Sequence, residues 1–210
     1  MHNIKYVVFD FDGTIADSRT VFLSLYNNIA ERYGYITIQE SNLEYLRTLS
    51  IIERSKFLKV PLYRIPLMVM EFTKNYRKYI QQLTVYPGIK EMLFDLKDQG
   101  YKLAIISTNS VKNISAFLDQ QQIDVFDDII SANLFGKHHS IHKFLSKYRL
   151  SPKELLYVGD ESRDIIACKK CEVSCVWVSW GYDVEETIKK DAPNYIVHTA
   201  DAIVSVLSSK

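Results

Sequence analysis

Short apolar runs, each bounded by turn residues and separated by amphipathic stretches, constrain this chain more than any other feature. Ile4 to Phe9 (IKYVVF) is nearly continuous in apolar character, as expected for a central parallel strand buried on both faces. Similar runs occur at Leu103 to Ser107, Leu155 to Val158 and Cys175 to Ser179, with weaker ones at Asp128 to Ser131 and Tyr195 to Val197. Between them lie helical spacings: Ile89 to Gln99, closed by Gly100, then Val111 to Gln121 and Ser140 to Tyr148. Strand and helix in regular alternation predict an α/β fold, a doubly wound (Rossmann-like) parallel sheet.

One stretch breaks the alternation. From about Ser18 to Leu83 no strand pattern is present, only amphipathic segments. Val21, Phe22, Leu25 and Ile29 fall on one helical face, and apolar spacing resumes from Phe57 to Tyr79 around Pro61 and Pro66. The block ends at Val85-Tyr86-Pro87-Gly88, a turn signal. An insertion placed directly after the first strand overhangs the carboxyl ends of the strands, where open sheets bind ligands. It reads as a lid. The expected division is an α/β core from residues 1–16 and 84–210, with an all-helical cap over 17–83.

Composition narrows the setting. The chain has 210 residues, 47% hydrophobic and 24% charged, the balance of a soluble globular protein rather than a disordered one. A net charge of +1 supplies no global drive toward nucleic acid or an acidic membrane. No apolar run is long enough to span a bilayer, and Met1-His2-Asn3-Ile4-Lys5 leads straight into a strand pattern, so no secretory leader is expected. Cys168, Cys171 and Cys175 read as core positions of a helix and the following strand. They form neither a disulfide framework nor a zinc site, which points to a reducing cytoplasm.

The chemistry gathers at strand ends. Asp10-Phe11-Asp12-Gly13-Thr14 closes the first run. Two carboxylates two residues apart on an extended chain point the same way and repel unless a cation or proton intervenes, so a divalent metal is the natural partner. Gly13 lets the backbone turn behind them. Thr108-Asn109 offers a hydroxyl and backbone N–H groups after the Leu103 run, as an anion site requires. Lys137 supplies a mobile positive charge, and Gly159-Asp160-Glu161-Ser162-Arg163-Asp164 adds a second acidic cluster. Each group has an ordinary structural reading as helix cap, solvated lysine or turn former. Their order at successive strand ends (acid pair, hydroxyl, lysine, acid cluster) favours a site.

Those residues resemble the haloacid dehalogenase superfamily, in its phosphoglycolate-phosphatase-like branch with a helical cap. The resemblance runs over nearly the whole chain: Asp10 to Thr14 matches the Asp-x-Asp-Gly-Thr motif, Thr108 the hydroxyl motif, Lys137 within Phe135-Gly136-Lys137 the basic motif, and Gly159-Asp160 with Glu161 and Asp164 the acidic motif. Trp180-Gly181-Tyr182 also looks like this branch. Two departures are His138-His139 where a proline is common after the lysine, and Cys171-Glu172 in place of Ala-Gly. The resemblance implies a phosphatase acting on a small phosphorylated metabolite. Asp10 would be the nucleophile that forms an aspartyl-phosphate, and Asp12 the acid and base. Mg2+ would be held by Asp10, the backbone carbonyl of Asp12 and Asp160, with Asp164, Glu161 and Thr14 supporting them from behind. Thr108, Asn109 and Lys137 would bind the phosphoryl oxygens.

Two weaker signals remain. His138, His139 and His142 share a helical face but lack an acid or cysteine to complete a metal shell, and read as a polar helix start. The cap is basic between Glu44 and Ile80. Arg47, Arg54 and Lys56 are the candidates there for meeting an anionic substrate, against the reading of a solvated face. Two rival functions fit the same motifs: a phosphomutase that returns the phosphoryl group to substrate, and a receiver-type phospho-aspartate signalling domain. The helical insertion and the Asp10-x-Asp12 pair argue against the second. Monomer and dimer are equally open.

Overall fold

A computed structural model describes residues 3–134 and 136–208; Phe135 of the lysine motif and the Met1-His2 start lie outside the described residues. Strand β1 (Tyr6–Phe9) leads through a tight turn to β2 (Ala16–Asp17), and from there into helices α1 (Arg19–Tyr33), α2 (Glu40–Arg47), α3 (Ile51–Phe57) and α4 (Ile65–Tyr76). A 3-10 segment, Arg77–Gln82, returns the chain to β3 (Thr84–Val85). Then follow α5 (Ile89–Asp98), β4 (Lys102–Ser107), α6 (Val111–Gln121), β5 (Phe126–Ser131), α7 (Lys137–Tyr148) and β6 (Leu155–Gly159). The chain finishes with α8 (Ser162–Lys170), β7 (Ser174–Val178), α9 (Glu185–Lys189), β8 (Tyr195–Val197) and α10 (Ala200–Ser208).

Six strands form one parallel sheet in the order β5-β4-β1-β6-β7-β8. β1 is central, paired in register from Tyr6↔Lys102 to Phe9↔Ile105 on one side and from Tyr6↔Leu155 to Phe9↔Val158 on the other. The chain runs outward from β1 through β4 and β5, then crosses back to β6, which places the switch in strand order between β1 and β6. Ligand crevices of such sheets open there, beyond the carboxyl ends.

The continuous apolar runs are explained by burial on both faces. Val7, Phe9, Leu103, Ile105, Leu156 and Val158 pack on the side of α5, α6 and α10. Tyr6, Val8, Ala104, Ile106, Leu155 and Tyr157 pack on the side of α7 and α8. Successive residues of one strand thus feed opposite cores, as a two-residue side-chain period requires. Cys168, Cys171 and Cys175 are free and buried in the second of these cores.

The stretch expected to be helical is helical, and it has a core of its own around Tyr26, Ile29, Leu46 and Met68. Val21, Leu25 and Ile29 face inward as the spacing predicts, while Phe22 stays 37% exposed and meets Phe72 and Tyr182. β2 and β3 close the insertion at its base as an antiparallel ribbon with Ala16↔Val85 and Asp17↔Thr84. No described helix is long and apolar enough to cross a membrane.

The boundary that departs most from the sequence reading is a helix start. Helix α7 starts at Lys137, three residues before the expected Ser140, with Gly136 as its cap and no acid in its first turn. Basic residues at a helix amino end oppose the helix dipole, so no local start signal exists there. The pull comes from elsewhere in the fold: the Lys137 side chain is drawn down onto two buried acids.

Candidate active site

The site is assembled from the ends of four strands. Asp10 follows β1 and keeps the ladder going, its N–H donating to Val158 O at 2.8 Å. Its side chain is 1% exposed, with Oδ1 accepting from the Phe11 N–H at 2.7 Å and Oδ2 from Lys137 Nζ at 2.7 Å. Burial pushes this carboxyl up, but the positive charges of Lys137 and Arg163 outweigh it and hold Asp10 below its ordinary value.

Lys137 also donates to Asp164 Oδ1 at 2.5 Å and is itself only 2% exposed. It is a fixed, buried cation, where the sequence suggested a mobile one. Burial lowers its pKa, and Asp10 and Asp164 more than reverse that, raising it beyond the ordinary lysine range.

Asp160 is fully buried after β6. Thr14 Oγ1 donates to its Oδ1 at 2.8 Å and the Tyr182 N–H to its Oδ2 at 2.8 Å. Backbone runs close on both sides of it. A Cβ on Gly13 would stand 2.3 Å from Asp160 Oδ2, and Gly13 also has φ +82°; a Cβ on Gly181 would stand 2.2 Å from Asp160 Cβ. Only glycine fits either position. Asp10, Asp160 and Asp164 bring carboxylate oxygens within 4.8 Å of one another. Desolvation, and after it the charges of Glu161, Asp10 and Asp164, push Asp160 well above the usual carboxylate range. Asp164 is raised to about 6, by burial first, despite Lys137. A cluster of hard oxygen donors with more negative charge than Lys137 neutralises suits a divalent cation.

Asp12 faces the other way. Its Oδ1 accepts from Tyr76 Oη at 2.5 Å and its Oδ2 from Asn109 Nδ2 at 2.9 Å. Desolvation raises its pKa, against hydrogen bonds from Tyr76, Ser18 and Asn109 that lower it. The structure therefore puts the Asp164 carboxylate inside the acid cluster and turns the Asp12 carboxylate out of it. Asn109, expected at the phosphate, presents its amide to Asp12. Its own Oδ1 is held by the Ser110 N–H and by Asn113 Nδ2, both at 2.9 Å. Thr108, Asn109 and Asp12 line one cavity together with Glu161 and Arg163.

Several participants carried no sequence signal. Tyr76 comes from α4 in the insertion, and its helical spacing gives no sign that its hydroxyl reaches Asp12. Arg163 pairs with Glu161, leaving its Nη1 buried without a hydrogen-bond partner among the described residues. Asp183 binds Arg54 and accepts from the Ser162 N–H at 2.7 Å. Of the three basic residues expected to meet substrate, only Arg54 lines the cavity. Arg47 instead donates to the carbonyls of Tyr182 at 3.1 Å and Gly181 at 3.2 Å, and Lys56 is exposed. The histidines sit at the start of α7, with the His138 and His139 rings 4.0 Å apart. They join no metal-ligand cluster among the described residues.

Comparison with known proteins identifies the class of enzyme to which this fold and acid cluster belong. Residues 7–178 match the family model described as Haloacid dehalogenase-like hydrolase, and the chain belongs to that family. Among curated relatives, a phosphoglycolate phosphatase of Synechococcus elongatus is 24% identical over 207 residues, covering 98% of each chain. A pyrophosphatase of Bacillus mycoides is 23% identical, covering 98% of this chain and 97% of its own. A haloacid dehalogenase-like hydrolase from Streptococcus pneumoniae superposes with a TM-score of 0.83 at 20% identity, covering 99% of this chain and 100% of its own.

Proposed function

We propose that the chain is a magnesium-dependent phosphatase of small phosphate monoesters, working through an aspartyl-phosphate on Asp10. The observation that carries this reading is the setting of Asp10: buried at the floor of the site and oriented by the Phe11 N–H and Lys137. Relatives named phosphoglycolate phosphatase and pyrophosphatase support release of phosphate as the outcome. Residues 17–83 act as the cap and residues 1–16 with 84–210 as the core that carries the chemistry.

Asp10 attacks phosphorus in line, so that an Asp10 O–P bond forms as the ester P–O bond breaks. Asp12 gives its proton to the departing oxygen, releasing the alcohol. It then takes a proton from water as the water oxygen attacks phosphorus. The Asp10 O–P bond breaks, inorganic phosphate leaves and the Asp10 carboxylate is restored. Tyr76 and Asn109 aim Asp12 at the departing oxygen. Thr108 and the unpartnered Arg163 Nη1 offer donors to the phosphoryl oxygens, and the Lys137 charge offsets the growing negative charge beside Asp10. Asp10, Asp160 and Asp164 fit magnesium, with the Asp12 carbonyl as a further oxygen; the ion would supply positive charge to the phosphoryl group.

Asp10→Asn tests the reading. Turnover of phosphate monoesters should fall by several orders of magnitude, while circular dichroism and the unfolding midpoint stay near those of the wild type. A variant with near-native phosphate release would remove Asp10 from the role of nucleophile.

A further inference from the structure

The cavity that opens at Asp12, Thr108 and Asn109 does not stop at the core. It runs on into the helical insertion, with a volume of about 230 Å³. Its far walls are Leu25, Ile38, Met68, Val69, Phe72 and Leu134, from separate segments of the chain. The hydroxyls on those walls are already engaged within the insertion. Tyr26 Oη donates to Ile36 O at 2.7 Å, Ser55 Oγ to Val60 O at 2.5 Å and Thr73 Oγ1 to Val69 O at 2.9 Å. Arg54 directs its Nε to Leu46 O at 2.8 Å and pairs through Nη2 with the buried carboxylate of Asp183.

We infer that the alcohol half of the substrate is apolar, a ring or aliphatic chain of about six carbons seated in this cavity. The inference rests on the phosphatase reading above and adds the class of leaving group. Two physical arguments carry it. A carboxylate or a hydroxylated sugar placed among these walls would lose its water and find the hydroxyls of Tyr26, Ser55 and Thr73 committed elsewhere, a cost an apolar group does not meet. The size also matches: an engineered apolar cavity of about 150 Å³ takes benzene, and this one is larger. The polar groups cluster at the one end where the phosphoryl group binds, and the apolar surface lies at the other. A phosphate ester of an apolar alcohol has the same polarity from end to end.

The test uses primary alkyl phosphates from methyl to hexyl, whose alcohols differ little in acidity, so that chain length is the variable. With magnesium present, kcat/KM should rise about fourfold for each added methylene, the yield of burying one CH2 group. Hexyl phosphate should also outrun phosphoglycolate. Val69→Phe, which projects a ring into the cavity, should lower the hexyl-to-methyl ratio by about tenfold or more. In parallel, calorimetry should show hexylphosphonate binding the wild-type protein with magnesium at least tenfold tighter than methylphosphonate. A flat chain-length series, or a preference for phosphoglycolate, would overturn the inference while leaving the phosphatase reading in place. Absence of hydrolysis for every ester would overturn the phosphatase reading instead, and the phosphonate series alone would then decide whether the cavity takes an apolar group.

Discussion

At Asp12, two donors from different parts of the chain converge on one carboxylate. Asn109 belongs to the turn after β4, and Tyr76, in α4, lies 64 positions from Asp12. The turn residues were legible because strand ends are where polar groups must serve either a cap or a ligand. Tyr76 was not, since a tyrosine in an amphipathic helix has the same spacing whether its ring packs or its hydroxyl donates. It does both here: the residue is 6% exposed, and its hydroxyl is bonded to Asp12. Tyr76→Phe keeps the ring and removes the donor. The unfolding midpoint should move by only a few degrees, the size of about one lost hydrogen bond. On the proposed mechanism the kcat should fall about tenfold, because Asp12 loses its alignment as the acid. Steady-state kinetics beside thermal unfolding separate the two effects. An unchanged kcat would reduce Tyr76 to packing. Arg163 carried no reading of its own within the acidic motif, and only its burial shows an unpartnered Nη1.

Among the elements, strands were the most readable, because β1, β4, β6 and β7 are buried on both sides along their middles and therefore apolar there. The weaker runs proved to be the edge strands β5 and β8, which are less completely covered. Helix α6 began where Ser110 announces it, the side chain accepting from the Asn113 N–H at 3.2 Å. Helix α7 gave no such notice, since its first residue is placed by ion pairs formed with distant parts of the chain. The cap of α6 matters to the site because the Ser110 and Asn113 groups also hold Asn109. Ser110→Ala should cost about 1 kcal/mol in urea unfolding. It should also lower kcat more than a helix-surface change of equal stability cost would, because the lost hydroxyl frees Asn113, whose side chain holds Asn109, while the Ser110 N–H bond to Asn109 remains. Equal effects on both would show that the cap serves stability alone.

For the whole molecule, the site and the insertion form one closed arrangement. Tyr76 reaches Asp12, Arg54 pairs with Asp183, and Arg47 holds the carbonyls of Gly181 and Tyr182. Beneath these ties lies a buried cluster of three carboxylates with Lys137 bonded to two of them. An ion that binds the folded chain and not the unfolded one adds stability by mass action. Magnesium at about a hundredfold over its dissociation constant should therefore add about 2.7 kcal/mol, or about 5–10 °C in unfolding midpoint for a chain of this size. Chelation should reverse the rise, and Asp160→Asn should remove most of it. A midpoint indifferent to magnesium in the wild type would remove the metal from this cluster.

The ribbon at the base of the insertion has a consequence of a different kind. Ala16 and Val85 are register partners, so the chain departs for the helices and comes home at the same spot. To the parallel sheet, everything between them is a single excursion with its two ends already pinned together. Because closing a longer loop adds little entropy cost once its ends are fixed, such a junction tolerates exchange. The helices can be replaced by those of a relative, and the contents of the apolar cavity with them, without re-threading any strand of the sheet. The exchange carries Tyr76 and Arg54 away with it, so an incoming set of helices must bring its own donor to Asp12 and its own partner for Asp183.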